Sequence, residues 1–337
     1  MYAGTATASV AAAALLGAGT LMMSTTAAPV TDTTAAGRSA TATPHTVTNR
    51  YTTAAGARSL RGRATDLTRT PLVLAHRGAS AYAPENTLAA VDKADALGFD
   101  WVENDVQSTR DGVLVVIHDT DLKRTTDVEQ VFPDRAPWAV KDFTSAEIAR
   151  LDAGSWFGPQ YAGTRVPTLR QYLNRIGRNG QNLLLEIKSP EIYPGIEPAT
   201  LRVLREEGWL DPGHVRNRLV IQSFGADSVR RVHALRPDVT TGFLGTPAVA
   251  DLPAYAEFTD QINPPYTSVS DDYVAAVHAL KGPHDKRLRV NTWIVNDAAH
   301  ALRVADFGVD GIITNTPDVV REAMAGRPRG PVGNPDR

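Results

Sequence analysis

The chain has 337 residues, 42% of them hydrophobic and 21% charged, which is enough apolar material for a large core and excludes a wholly disordered protein. A net charge of −2 and a pI near 6.5 exclude a nucleic-acid binder that works by bulk positive charge. Cysteine is absent, so disulfide frameworks, thiol nucleophiles, thiolate zinc sites and iron–sulfur clusters are excluded together, and any metal must be held by oxygen or imidazole.

Charge is unevenly spread. Residues 1–70 hold six Arg and two Asp, a surplus of +4, so the remainder carries −6. Val10 to Met23 is a short apolar run, below the roughly 18 residues a membrane span needs. Small residues follow at Thr25–Ala28, as a signal-peptidase site requires. Residues 1–28 therefore read as a secretion signal, and the mature protein as secreted or extracellular, with no stable membrane insertion once the signal is removed. One feature departs from the pattern: the first charged side chain is Asp32, whereas a signal carries positive charge before its apolar run. Residues 29–70, rich in Ala, Thr and Arg and without a period, read as a flexible linker.

From Pro71 the pattern changes to alternating strands and helices. Strands are expected at Leu72–Ala75, Trp101–Val106, Val113–Ile117, Asn182–Ile187, Leu219–Ser223, Val239–Leu244, Gln261–Asn263, Leu288–Val295 and Gly311–Thr314. Helices are expected at Thr87–Leu97, Thr168–Ile176, Pro198–Glu207, Asp227–Leu235, Pro253–Phe258, Asp271–Leu280, Ala298–Phe307 and Pro317–Ala325. About eight strand–helix units over about 255 residues match the size of an α/β protein built as a (β/α)8 TIM barrel. A doubly wound open sheet would show a Gly-rich phosphate loop after its first strand, and none is present. The strand at 113–117 follows its predecessor almost directly and reads as a hairpin-like extension. Residues 120–166 form a long insertion after the second strand, of the length that makes lids or small subdomains. The barrel domain is placed at 71–326, with 327–337 as a flexible tail.

In a barrel the active site sits at the C-terminal ends of the strands. This chain places His76 and Arg77, Glu103 and Asp105, His118, and Glu186 and Lys188 there. Period-two alternation puts Glu103 and Asp105 on one face, within reach of Glu186 from the next strand. Three converging carboxylates need a positive partner, and hard oxygen ligands suit Ca²⁺ or Mg²⁺. One divalent cation with Arg77 and Lys188 leaves a formal +1, which a phosphodiester monoanion would neutralise. His76 and His118 then supply a base and an acid at neutral pH. Taken singly, each piece has a plainer reading as a satisfied core histidine or a solvated ion pair. Core packing does not explain all of them together at neighbouring strand ends.

The residues also carry a resemblance. The run LAHRGASAYAPENTLAAVDKADALGFDWVENDVQSTRDGVLVVIHD resembles the start of glycerophosphodiester phosphodiesterases. LDAGSWFGPQYAGTRVPTL, LLLEIK, IQSFGADSVRRVHALRPDVTTGFLG and NTWIVNDAAHALRVADFGVDGIITNTPD continue it in family order across residues 72–320. The resemblance implies His76 and His118 as catalytic histidines and Glu103, Asp105 and Glu186 as metal ligands. It implies Arg77 and Lys188 as phosphate-binding cations and Trp293 and Phe224 as aromatics lining the substrate pocket. It also implies a barrel with an insertion after the second strand, and cleavage of glycerophosphodiesters to glycerol 3-phosphate and an alcohol with Ca²⁺ or Mg²⁺. Ca²⁺ is favoured here because an exported protein meets more of it. Pro84-Glu85-Asn86-Thr87, another family signature, reads as a turn and helix cap, with a bond from Glu85 or Asn86 into the site open. Asn104 and Asn315 depart from the family's usual residues, and neither is expected to touch the chemistry. His45, His214, His233, His278, His284 and His300 read as surface residues, and Trp156 and Phe157 as a small core for the insertion.

Three rival functions stay open at this point. One is a sphingomyelin- or inositol-lipid-type phospholipase on a related barrel, although residues 71–337 show no apolar or basic membrane-binding stretch. The others are a non-catalytic barrel that binds phosphodiesters and a cell-surface structural protein.

Overall fold

The computed structural model describes residues 70–327. The expected signal, the linker up to residue 69 and residues 328–337 of the expected tail lie outside the described residues.

Eight parallel strands close into a barrel. They are β1 (Leu72–Ala75), β2 (Trp101–Ser108), β4 (Asn182–Ile187), β5 (Leu219–Ser223), β6 (Thr240–Leu244), β7 (Gln261–Asn263), β8 (Arg289–Thr292) and β9 (Gly311–Thr314). The order runs β1-β9-β8-β7-β6-β5-β4-β2, and pairing of Ala75 with Val102 joins β1 back to β2. The ninth strand, β3 (Leu114–Val116), runs antiparallel along β2 with Val106 opposite Val116, so the hairpin-like extension is present. The (β/α)8 barrel expected from the alternation is the fold.

The helices show why this sequence folds locally as it does. In α1 (Leu88–Ala96), the Thr87 hydroxyl caps the N-terminus by accepting from Ala90 N–H. The insertion supplies two short helices, α2 (Val128–Val131) and α3 (Ser145–Ile148). In α4 (Leu169–Asn179), Thr168 and Gln171 form a capping box, and Gly180 ends the helix at φ 74°. Leu169, Tyr172, Leu173 and Ile176 form its buried stripe at helical spacing. Next come α5 (Ile196–Glu206) and α6 (Pro212–Asn217). The chain closes with α7 (Ala226–Leu235), α8 (Leu252–Ala256), α9 (Asp271–His278), α10 (Ala298–Asp306) and α11 (Pro317–Ala325).

Some expectations shift. Helix α6 was not anticipated, although Asp211 caps it and Pro212 opens it, a readable start signal. The strand expected to reach Val295 stops at Thr292. Beyond it the Trp293 N–H donates to Pro264 O and the Trp293 carbonyl accepts from Tyr266 N–H, an isolated parallel bridge of Trp293 with Pro265 just past the end of β7. Residues 120–166 have a buried core of their own, made of Leu122, Val128, Val140, Phe143, Ile148 and Leu151, resting on Val115 and Ile117. Trp156 and Phe157 do not belong to that core. Trp156 is 40% exposed, its indole N–H donates to Ala153 O, and it meets Phe157 edge-on at 5.6 Å.

Inside the barrel, Leu74, Leu184, Val220 and Ile313 form one apolar layer. Two residues further along the same strands come His76, Glu186, Gln222 and Asn315. Strand alternation therefore stacks a polar layer directly on an apolar floor. Helix-facing residues of the barrel strands, such as Val102 and Val106 on β2 and Leu183 and Leu185 on β4, join the large outer core instead. Asn104 lies among the latter on β2, fully buried, and neither of its side-chain polar atoms has a hydrogen-bond partner.

A buried amide without partners costs about 1–3 kcal/mol. Asn104→Leu, similar in volume, is expected to raise the unfolding free energy by about 1–2 kcal/mol. The measurement is a urea titration at unchanged m value. A lower midpoint would show that the amide is satisfied in solution.

Candidate active site

The C-terminal ends of the strands bring the expected residues to one cleft. Its lining includes His76, Arg77, Glu103, His118, Glu186 and Lys188, with Phe224 and Trp293 at the edge. Asp105 sits beneath them, opposite Glu186 in the β2–β4 register. A larger opening, about 1500 Å³ out to solvent, lies at the other end of the barrel around Leu72, Trp101 and Val220. The one histidine lining it, His284, is bound to Asp260 at 2.7 Å. Size therefore does not mark the site; convergent chemistry does.

Glu103, Asp105 and Glu186 are all buried, and one oxygen from each lies within 4.8 Å of the others. Burial pushes the Glu103 carboxyl well above the usual range, and Asp105 and Glu186 push it the same way. Burial and then Asp105 raise Glu186 to about 8, against the pull of Lys188. Burial works to raise Asp105 as well, but Arg77, His118, Lys188 and the Asn86 amide outweigh it and hold it below its ordinary value. The cluster thus takes up protons when no cation is supplied.

The cations and amides around the cluster are placed by backbone geometry. Arg77 has a left-handed φ of 54° and Gly78 follows at 80°, which turns the Arg77 N–H onto Glu103 Oε2 at 2.9 Å. A Cβ on Gly78 would meet Ala90 at 2.7 Å or less, so only glycine lets this turn pack on α1. Arg77 Nε stands 3.3 Å from Asp105 Oδ2, and Lys188 Nζ stands 2.9 Å from Glu186 Oε1 and 3.8 Å from Asp105 Oδ1. Asn86, also left-handed at φ 59°, donates from Nδ2 to Asp105 Oδ2 at 2.8 Å, and Glu85 accepts from Arg77 Nη1 at 2.7 Å. Both bonds left open for the Pro-Glu-Asn-Thr turn are therefore made.

A divalent cation fits this donor set. All three side chains are hard oxygen donors, and two oxygens on one Ca²⁺ stand at most about 5 Å apart. Asp105 Oδ1 is buried and accepts no hydrogen bond, a lone pair left for a ligand that is not protein.

The histidines flank the cluster. His76 Nδ1 donates to Asn315 Oδ1 at 2.6 Å, and that oxygen also accepts from Ser80 Oγ at 3.0 Å. His76 Nε2 is left facing Glu103, 3.9 Å away. Burial, then Arg77, lowers the His76 pKa to about 3, so the ring is neutral and Nε2 is a free acceptor. Asn315 was expected to lie apart from the chemistry; it instead orients this imidazole. Its place two residues beyond Ile313 on β9 could have signalled that. His118 Nδ1 donates to the adjacent Asp119 Oδ1 at 2.7 Å, and burial lowers the His118 pKa as well. Gln107 holds the loop by donating from Nε2 to the carbonyls of Ile117, His118 and Asp119. Among the discounted histidines, His214, His278, His284 and His300 pair with Asp211, Asp310, Asp260 and Asp297 away from the cleft. His233 lies on α7, also away from it, and His45 lies outside the described residues.

At the rim, Phe224 and Trp293 meet edge-to-face at 5.5 Å, and Phe224 is 48% exposed. Trp293 is fixed by its indole N–H on Asn263 O at 2.7 Å, and Lys188 Nζ lies 5.2 Å from the Phe224 ring centre.

The sequence pattern of the glycerophosphoryl diester phosphodiesterase family matches residues 76–319. This chain belongs to that family. A glycerophosphodiester phosphodiesterase of Bacillus subtilis (strain 168) is 34% identical over 272 residues, covering 76% of this chain and 87% of its own. One from Caldanaerobacter subterraneus is 36% identical over 257 residues, covering 74% and 96%. A phosphodiesterase of Oleispira antarctica, solved in complex with the product sn-glycerol 3-phosphate, superposes with a TM-score of 0.66 at 28% identity, covering 76% of this chain and 98% of its own. This glycerophosphodiester phosphodiesterase is thus an enzyme with a small-molecule diester substrate. No helix of its described residues is long and apolar enough to cross a membrane.

The raised carboxyls set a pH dependence. Glu186 titrates near 8 in the folded protein and near 4.5 as an ordinary glutamate, so between these values the folded state holds the extra proton. Stability of the cation-free protein therefore falls as pH rises through that window, and a bound cation replaces the proton. The rise in Tm on adding a divalent cation is expected to grow from about pH 5 to about pH 8. A shift that is flat, or larger at the acid end, would contradict the arrangement.

Proposed function

We propose that the enzyme hydrolyses glycerophosphodiesters to glycerol 3-phosphate and an alcohol, using a divalent cation and two histidines. The observation that carries this reading is the convergence of three buried carboxylates, two cations and two histidines on one cleft. Glu103, Asp105 and Glu186 would hold the cation. When bound, it would act as a Lewis acid toward the phosphoryl oxygens. Ca²⁺ is preferred over Mg²⁺, because carboxylates of this number suit its looser geometry and an exported protein meets it in quantity.

The protein's own residues do the rest. Arg77 and Lys188, already balanced against the carboxylates, offset the negative charge that grows on the phosphoryl group. His76, held through Nδ1 by the neutral Asn315, presents Nε2 as the acceptor of the nucleophile's proton. His118 has the charged Asp119 behind it, so a proton is held better there, and it protonates the leaving alcohol. The nucleophile is water or the neighbouring glycerol hydroxyl, which has the effective-concentration advantage of a tethered group. The Phe224–Trp293 edge gives the glycerol side an apolar wall. Export rests on the signal reading of residues 1–28.

The test is release of glycerol 3-phosphate from glycerophosphocholine by the whole chain, first metal-stripped and then with Ca²⁺ or Mg²⁺ restored. Release only with cation is expected, with losses of about 10²–10⁴-fold in folded His76→Ala and His118→Ala. Full activity in either variant, or in the stripped enzyme, would overturn the mechanism. Run on medium and cells of an expressing culture, the same assay checks export: activity confined to the cells would contradict it.

A further inference from the structure

Arg124 lies in the insertion, six residues past His118, and belongs to none of the motifs above. Its side chain is 44% exposed, yet it makes four hydrogen bonds. Nε donates to Asp119 Oδ2 at 2.6 Å and Nη2 to Asp119 Oδ1 at 3.0 Å. Nη1 donates to Glu85 Oε2 at 2.9 Å and Nη2 to Glu85 Oε1 at 2.8 Å. The guanidinium thus forks onto two carboxylates at once, a geometry that lysine cannot copy.

Neither carboxylate ends there. Asp119 Oδ1 accepts from His118 Nδ1, and Glu85 Oε1 accepts from Arg77 Nη1. Arg77 in turn faces Asp105. Charges alternate without a break along Asp119, Arg124, Glu85, Arg77 and Asp105, with His118 hydrogen-bonded to the first of them. The chain crosses from the loop after β3 to the loop after β1, and those two strands do not pair with each other. Arg124 also holds the Asp119 carboxyl down at about 2, which keeps it a charged acceptor for His118.

We propose that Arg124 is a positioning residue that locks His118 and Arg77 into one frame, so that proton transfer and phosphate binding stay in register. This rests on the roles given above to His118 and Arg77. An exposed ion pair is worth little to stability, so the main effect of removing it falls on turnover. Displacement of a reacting group by about 1 Å costs up to about 10²-fold in rate.

The test is steady-state kinetics of the whole chain on glycerophosphocholine at saturating cation. Arg124→Ala is expected to lower kcat by about 10–100-fold, with unchanged circular dichroism and cation affinity. Millimolar guanidinium should restore part of the loss, and Arg124→Lys should fall in between. A kcat within threefold of the parent enzyme, a loss that guanidinium does not reverse, or a matching loss of cation affinity would overturn the proposal. His118→Ala is measured alongside. If it keeps full turnover, the reading of the site itself has failed. If it is inactive while Arg124→Ala is fully active, only the role of Arg124 has.

Discussion

Three carboxylates buried within 4.8 Å of one another are the constraint on which the rest of this structure depends. Like charges at that distance, out of water, are not tolerated without compensation. The surrounding residues supply it in several forms. Arg77 contributes both a backbone N–H and a guanidinium, Lys188 an ammonium, and Asn86 an amide. Two of these residues adopt left-handed backbone conformations to do so, at a cost that only a site with other demands retains. Even so, Glu103 and Glu186 stay raised, which leaves room for a further positive charge.

The barrel makes that concentration of charge possible. Leu74, Leu184, Val220 and Ile313 pack below it as an apolar floor. One step of strand alternation then separates apolar floor from polar site on four strands. Strand ends and the loops above them carry orientation: Asn315 behind His76, Asp119 and Gln107 behind His118, Asn263 behind Trp293. The insertion, with its own core on β3, carries Arg124, whose guanidinium links the His118 loop to the Arg77 turn.

Much of this was legible in the chain. Alternating strand and helix patterns located the barrel, because period two and period 3.6 are local properties. Glu103, Asp105 and Glu186 were legible for the same reason: residues two apart on a strand share a face. The orienting residues were harder. Asn315 lies 239 positions from His76, and only the closing of β9 against β1 brings them together. Arg124 carries no periodic signal, since its partners come from two separate loops. Helix α6 was missed although its Asp-Pro start is visible, and β8 ends at Thr292, past which Trp293 makes an isolated bridge to Pro265 beyond β7.

The most direct measurement is calorimetric titration of the metal-stripped whole chain with CaCl₂. The account predicts one saturable cation per chain, with binding weakened at least about 100-fold in Asp105→Asn and preserved in Phe224→Ala. No saturable binding at millimolar Ca²⁺, or equal binding in Asp105→Asn, would contradict it.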